Sequence, residues 1–174
     1  QSFYQINSVQ TEKLYQKAID YAQLSGNEIV LDTYCGIGTI GLYMAPVAIH
    51  VYGVEIVPSA IQDAKQNALI NHFDNTTFEC GKAEEVIIEW KQKGIEPDVI
   101  MVDPPRKGCD QVFIETLLEL APKRIIYISC NPSTQQRDAQ LLANLYYLKE
   151  ITPVDMFPHT THIETVALFE RKTL

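Results

Sequence analysis

A chain of 174 residues, 46% hydrophobic and 21% charged, is sized for one domain with a substantial core. Its longest apolar runs, such as Ile125 to Ile128, are strand-length, which excludes a membrane-spanning helix, and no basic start followed by an apolar stretch marks a secretory signal. A net charge of −8, from 14 Lys and Arg against 22 Asp and Glu, argues against a domain that grips nucleic acid unaided. The four cysteines, at 35, 80, 109 and 130, form no C-x-x-C pair. They are expected to be free thiols of a reducing, cytoplasmic compartment. Because the first residue is Gln1 rather than Met, the chain reads as a piece of a longer protein.

In chain order, the first predicted element is a helix from Ser8 to Leu24, with Asn7 or Ser8 as its N-cap and Gly26 just beyond its end. Strands are predicted at Ile29–Asp32, His50–Glu55, Thr76–Cys80, Asp98–Val102 and Arg124–Ser129. Helices fall between them near Ile40–Ala45, Ser59–His72, Ala83–Lys93 and Val112–Leu120. Asn131 followed by Pro132 is a cap-then-first-turn signal for another helix, to about Leu145. Two final strands, Tyr147–Asp155 and Ile163–Glu170, follow each other with no helix between and should pair antiparallel. This order implies one domain over residues 1–174 of class α/β: Rossmann-like and doubly wound, mostly parallel with an antiparallel last strand. Ligands of such sheets bind at the carboxyl ends of the parallel strands.

After the first strand the chain reads Asp32-Thr-Tyr34-Cys-Gly36-Ile-Gly38-Thr-Ile-Gly41. The glycines allow a tight turn and a close backbone approach to a ligand, and alone would equally suit a dinucleotide. Asp32 tips the balance toward a ligand carrying an ammonium or sulfonium, because a carboxylate there repels a pyrophosphate. Glu55 ends the second strand, where an acidic side chain accepts hydrogen bonds from ribose hydroxyls. S-adenosyl-L-methionine is therefore the expected cofactor, with NAD the alternative.

Three later segments carry the chemistry. Asp103-Pro-Pro-Arg106 ends the fourth strand, Ser129-Cys130-Asn131-Pro132 ends the fifth, and His162-Ile-Glu164-Thr165 opens the last. If the last strand is antiparallel, Cys130 and Glu164 meet over one cleft. That pair suits methylation of carbon 5 of uracil, a poor nucleophile until a thiolate adds to carbon 6. A base must then remove the carbon 5 proton before the cysteine leaves. Cys130 is the candidate nucleophile and Glu164 the candidate base. The helix start after Cys130 is expected to favour its thiolate.

Phe3-Tyr-Gln5-Ile-Asn7, Leu31-Asp-Thr-Tyr-Cys-Gly36, Asp103-Pro-Pro-Arg-Lys-Gly108, Ser129-Cys-Asn-Pro132 and His162-Ile-Glu-Thr165 together resemble the RNA (uracil-5-)-methyltransferases over essentially the whole chain. The resemblance implies a class I S-adenosylmethionine-dependent catalytic domain with Cys130 as nucleophile and Glu164 as proton acceptor. It also implies that Gln5, Tyr34, Glu55 and Asp103 contact the cofactor, beside the Asp32 and Gly36 of the glycine loop. Some relatives carry Asn where Thr39 stands. The substrate implied is a uridine of ribosomal or transfer RNA. Members of the family usually carry additional N-terminal RNA-binding regions, which this chain is expected to lack.

Other readings have weaker support. His159 and His162 have no helix to align them and complete no carboxylate–histidine set, so no metal is expected in this domain. Arg106 and Lys107 suit either an RNA phosphate or a solvated loop. Trp90 and the pair Tyr146-Tyr147 read as packing residues rather than base-stacking platforms. An amino-group or small-molecule methyltransferase has no use for Cys130. A non-catalytic RNA-binding module is disfavoured by the low basic content.

Overall fold

In the computed structural model, which describes residues 7–173, seven strands form one sheet in the order β3-β2-β1-β4-β5-β7-β6. The strands are β1 Ile29–Thr33, β2 His50–Glu55, β3 Thr76–Cys80, β4 Val99–Val102, β5 Arg124–Ser129, β6 Tyr146–Val154 and β7 Glu164–Arg171. Strands β1 to β5 are mutually parallel, and β7 runs antiparallel to both β5 and β6. The helices are α1 Ser8–Ala22, α2 Thr39–Met44, α3 Pro58–Ile70, α4 Ala83–Gln92, α5 Gln111–Leu120 and α6 Pro132–Leu142, with a short 3₁₀ turn at Ala45–Val47. No helix among the described residues is long and apolar enough to cross a membrane.

Period-two alternation divides the core between the two faces of the sheet. Val30, Met101, Ile126 and Ile128 pack with Leu14, Ala18 and Tyr21 of α1 and Met44 of α2. The intervening Leu31, Ile100, Val102, Ile125 and Tyr127 pack with Trp90 of α4 and Phe113, Ile114 and Leu117 of α5. Trp90 is thus a core residue, and its Nε1–H donates to Glu79 at 2.8 Å. Tyr146 is buried and donates to the Pro122 carbonyl at 3.0 Å, whereas Tyr147 is exposed.

Caps and turns explain where elements end. Asn7 caps α1 by accepting from the Gln10 N–H at 3.2 Å. Helix α1 stops at Ala22, earlier than Gly26 suggested, with Gln23 in the left-handed conformation. There the Glu28 carboxylate collects the N–H groups of Ser25 and Asn27 and folds the chain directly into β1. Asn131 caps α6 and Pro132 opens it, as expected, but the helix ends at Leu142 rather than Leu145, and β6 begins one residue early, at Tyr146.

Candidate active site

The sheet order reverses between β1 and β4, so a crevice opens beyond the carboxyl ends of β1, β2, β4 and β5. Asp32 lies near the end of β1, buried to 1% exposure, and its Oδ2 accepts from the Gly41 N–H at 2.8 Å. This carboxylate ties the start of α2 to the sheet and fixes the glycine loop between them. Burial, followed by the charge of Glu55, pushes its carboxyl up to about 7 against the pull of the Gly41 N–H.

Within that loop Tyr34 holds φ 60° and Gly36 φ 54°. A bulky residue in the left-handed region costs on the order of 1 kcal/mol and is held only where its surroundings fix it. Here the Tyr34 ring packs edge-on against Phe113 at 5.3 Å, and Cys35 N–H donates to the Val54 carbonyl at 3.0 Å. Nothing lies within 4 Å of the position a Cβ on Gly36 would take, so the loop presents bare backbone to open space. Glu55 clasps the loop from β2, accepting from the Gly36 N–H at 3.2 Å and the Val57 N–H at 3.0 Å.

Asp103 follows β4 at the centre of the crevice. Among the described residues its carboxylate has no hydrogen-bond partner. Burial, then the charges of Glu164 and Asp32, push it up to about 7. Gln5 lies outside the described residues.

On the other side of Asp103, β5 and β7 meet in register at Ser129 and Thr165. Thr165 Oγ1 donates to Gln135 of α6 at 2.8 Å and to the Ser129 carbonyl at 3.3 Å, locking the two strand ends and α6 together. The adjacent residues, Cys130 and Glu164, are thereby brought to the same strand ends, close enough for the Glu164 charge to act on the Cys130 thiol. Glu164 is buried to 5% exposure and its carboxylate has no hydrogen-bond partner among the described residues. Its desolvation raises it to about 7, against the opposing charge of Arg106. A cleft of about 260 Å³ opens over Cys130, lined by Arg106, Asn131, Pro132, Thr161, His162 and Ile163.

Cys130 corrects one expectation. Its thiol is raised above the ordinary value by burial first and then by the Glu164 and Asp103 carboxylates, with Arg106 opposing. Desolvation and the two acids thus set a direction opposite to the one expected from the start of α6.

The sequence profile of the tRNA (Uracil-5-)-methyltransferase family matches residues 1–172. The chain belongs to this family. It is 78% identical over 172 residues to an uncharacterised RNA methyltransferase of Staphylococcus aureus strain COL, covering 99% of this chain and 38% of that protein. The chain thus spans well under half the length of the curated relatives it matches. Its structure resembles that of Pyrococcus abyssi tRNA (uracil-54, C5)-methyltransferase, solved in complex with S-adenosyl-L-homocysteine. The TM-score is 0.84 at 38% identity, over 97% of this chain and 40% of that one. An N-methyltransferase of Bradyrhizobium japonicum shares the fold, with a TM-score of 0.76 at 15% identity, over 96% of this chain and 99% of that one. The fold is that of the class I methyltransferases, as expected.

From the sequence, His162 is weighed only as a metal ligand, Arg106 and Lys107 only as phosphate contacts or loop residues, and Asp138 is not singled out. His162 Nδ1 accepts from Arg106 Nη2 at 2.9 Å, so this histidine orients the guanidinium beside Cys130. Asp138 is fully buried, and accepts from Tyr127 OH at 2.7 Å and from Cys109 N–H at 2.9 Å. An Arg-Asp pair inside a predicted helix gives no hint of burial; only the tertiary neighbours reveal it. Lys107 bonds the Asp110 carboxylate at 3.2 Å, a surface pair.

Proposed function

We propose that this domain transfers a methyl group from S-adenosylmethionine to carbon 5 of a uridine in RNA, through a covalent Cys130–carbon 6 adduct. The observation that carries this reading is that the antiparallel β5–β7 pairing brings Glu164, 34 positions away in sequence, close enough for its charge to act on the Cys130 thiol, over which a cleft opens. Family membership supports the RNA and uracil assignment.

The residues present fit the cofactor. An Asp103 carboxylate without a hydrogen-bond partner among the described residues and the acids Asp32 and Glu55 suit a ligand bearing sulfonium and ammonium charges. The open backbone at Gly36 allows close approach. Asp103, Glu55, Tyr34 and Gly36 would hold it, with Asp32 fixing the loop from behind. When bound, S-adenosylmethionine supplies an electrophilic methyl on its sulfonium.

The cleft over Cys130 receives the base. Arg106 favours the thiolate, whose lone pair forms a bond to carbon 6 while the carbon 5–carbon 6 π pair moves toward the carbon 4 oxygen. Carbon 5 then accepts the methyl. Glu164, ionised, takes the proton from carbon 5, the double bond re-forms, and the thiolate leaves. A carboxyl near 7 is suited to this work, because it is a stronger base than an ordinary Glu and still half ionised at neutral pH.

Tritium release tests the position of methylation. RNA transcripts of transfer and ribosomal type carrying [5-³H]uridine should release tritium in the presence of S-adenosylmethionine and this enzyme. Methyl incorporation without tritium release would move the reaction to a nitrogen or a ribose oxygen and overturn the reading.

A further inference from the structure

The first turns of α6 carry Asn131, Thr134, Arg137 and Asp138 on one side, at spacings of three and four. All four reach the loop that follows Asp103-Pro-Pro. Asn131 Nδ2 and Thr134 Oγ1 donate to the Arg106 carbonyl at 3.2 and 3.3 Å. Arg137 Nη2 donates to the carbonyls of Lys107 at 3.1 Å and Cys109 at 3.0 Å. Asp138 Oδ2 accepts from the Cys109 N–H and from Tyr127 of β5, while its Oδ1 takes Arg137 Nε at 2.9 Å and Nη2 at 2.7 Å.

Gly108 marks how closely loop and helix approach. Its φ is +77°, and a Cβ there would sit 2.7 Å from both Arg137 Nη2 and Asp138 Oδ2. A fully buried carboxylate is a costly way to fill a core position, and apolar residues of similar volume often stabilise as well. Its use here matches a requirement for position: five hydrogen bonds with polar or charged side chains fix four backbone atoms of the loop where an apolar contact would let them slide.

We propose that Thr134, Arg137 and Asp138 are positioning residues that clasp the backbone of residues 106–109 and so hold the Arg106 guanidinium beside Cys130. The proposal rests on Cys130 as the nucleophile. Four charged or titratable groups act on that thiol or line its cleft. Glu164 of β7 and Asp103 of the β4 loop oppose its ionisation, Arg106 favours it, and His162 holds Arg106 from the other side. Freed from the clasp, Arg106 leaves two carboxylates uncompensated. Arg137 is not among the charges that act on the Cys130 thiol directly, so its influence on Cys130 runs through the loop backbone it bonds.

The test is the pH profile of Cys130 alkylation by iodoacetamide in the intact protein, followed on the Cys130 peptide by mass spectrometry. The midpoint reports thiol ionisation and the plateau reports access. Arg137→Met should move the midpoint to higher pH, slowing alkylation at neutral pH about tenfold for a one-unit move. Thr134→Val, a milder change, should move it the same way by less. Arg106→Met should move it further, and the Arg106→Met/Arg137→Met double variant should match Arg106→Met alone. A lowered melting temperature with an unmoved midpoint in Arg137→Met and Thr134→Val would overturn the proposal, as would additive shifts in the double variant. Alkylation needs neither RNA nor cofactor. A missing uridine adduct beside the expected alkylation shifts would therefore count against the methylation reading and not against the clasp.

Discussion

Replacing Asp103 with Asn should make the ligand-free protein more stable at alkaline pH. An unfolded aspartate titrates near about 4, whereas burial and the Glu164 and Asp32 charges push Asp103 up to about 7 in the fold. Between those values the folded state binds more protons than the unfolded one, so stability falls as pH rises through the window. At about 1.4 kcal/mol per unit, ionising Asp103 costs the fold at most about 4 kcal/mol by pH 8. Asp32 and Glu164 ionise in the same range and against the same charge, so the three titrate as a set, and one substitution should recover roughly 2–4 kcal/mol. No hydrogen bond among the described residues is lost with the carboxylate. Urea unfolding at pH 8 should show Asp103→Asn more stable than the parent by that amount, with the gap closing to within about 1 kcal/mol at pH 4.5. The same variant should bind S-adenosylmethionine more weakly, a trade of function for stability. An equal difference at both pH values, or a less stable variant at pH 8, would refute the electrostatic reasoning.

Gly41→Ala should destabilise the fold by about 1–3 kcal/mol despite the better helix propensity of alanine. Its Cβ would lie 2.8 Å from Asp32 Oδ2 and 3.0 Å from Val51 Cγ1; thermal unfolding checks the sign. Glu164→Gln should permit methyl transfer and stall release, leaving RNA covalently attached on denaturing gels, whereas free turnover by that variant would remove Glu164 from the base role. Steady-state methylation should climb through about pH 7 as Glu164 ionises, and fall about tenfold per unit below it. Since the Cys130 thiol is itself raised, adduct formation should keep accelerating beyond the ordinary thiol range. A rate flat above pH 6.5 contradicts both assignments.

Much of the fold was legible because each strand is a short apolar run and each crossover a helix with a readable start. The absence of a helix before the last strand dictated its direction, and that alone brought Glu164 to Cys130. Asp32 and Glu55 became candidates because strand ends are where such sheets bind ligands, and Asp103 through the family resemblance. Two things escaped. The ionisation of Cys130 was misjudged because the helix start is local in sequence, whereas Asp103 and Glu164 reach the thiol only through the fold. Asp32 reads in the sequence as a carboxylate facing a charged ligand, and the structure adds that it is buried beneath the glycine loop and bonded to Gly41, because the loop folds back over the end of its own strand. The clasp on residues 106–109 was equally invisible, since its donors gain meaning only from the backbone carbonyls they meet.

The covalent role of Cys130 is most directly tested with RNA transcribed with 5-fluorouridine, incubated with the enzyme and S-adenosylmethionine. Fluorine at carbon 5 cannot be removed as a proton, so elimination stops and the adduct should accumulate, with digestion placing the methylated fluorouridine on the peptide containing Cys130. Methylation of matched uridine RNA with no adduct on the fluorinated one, or an adduct that survives Cys130→Ala, would contradict the account.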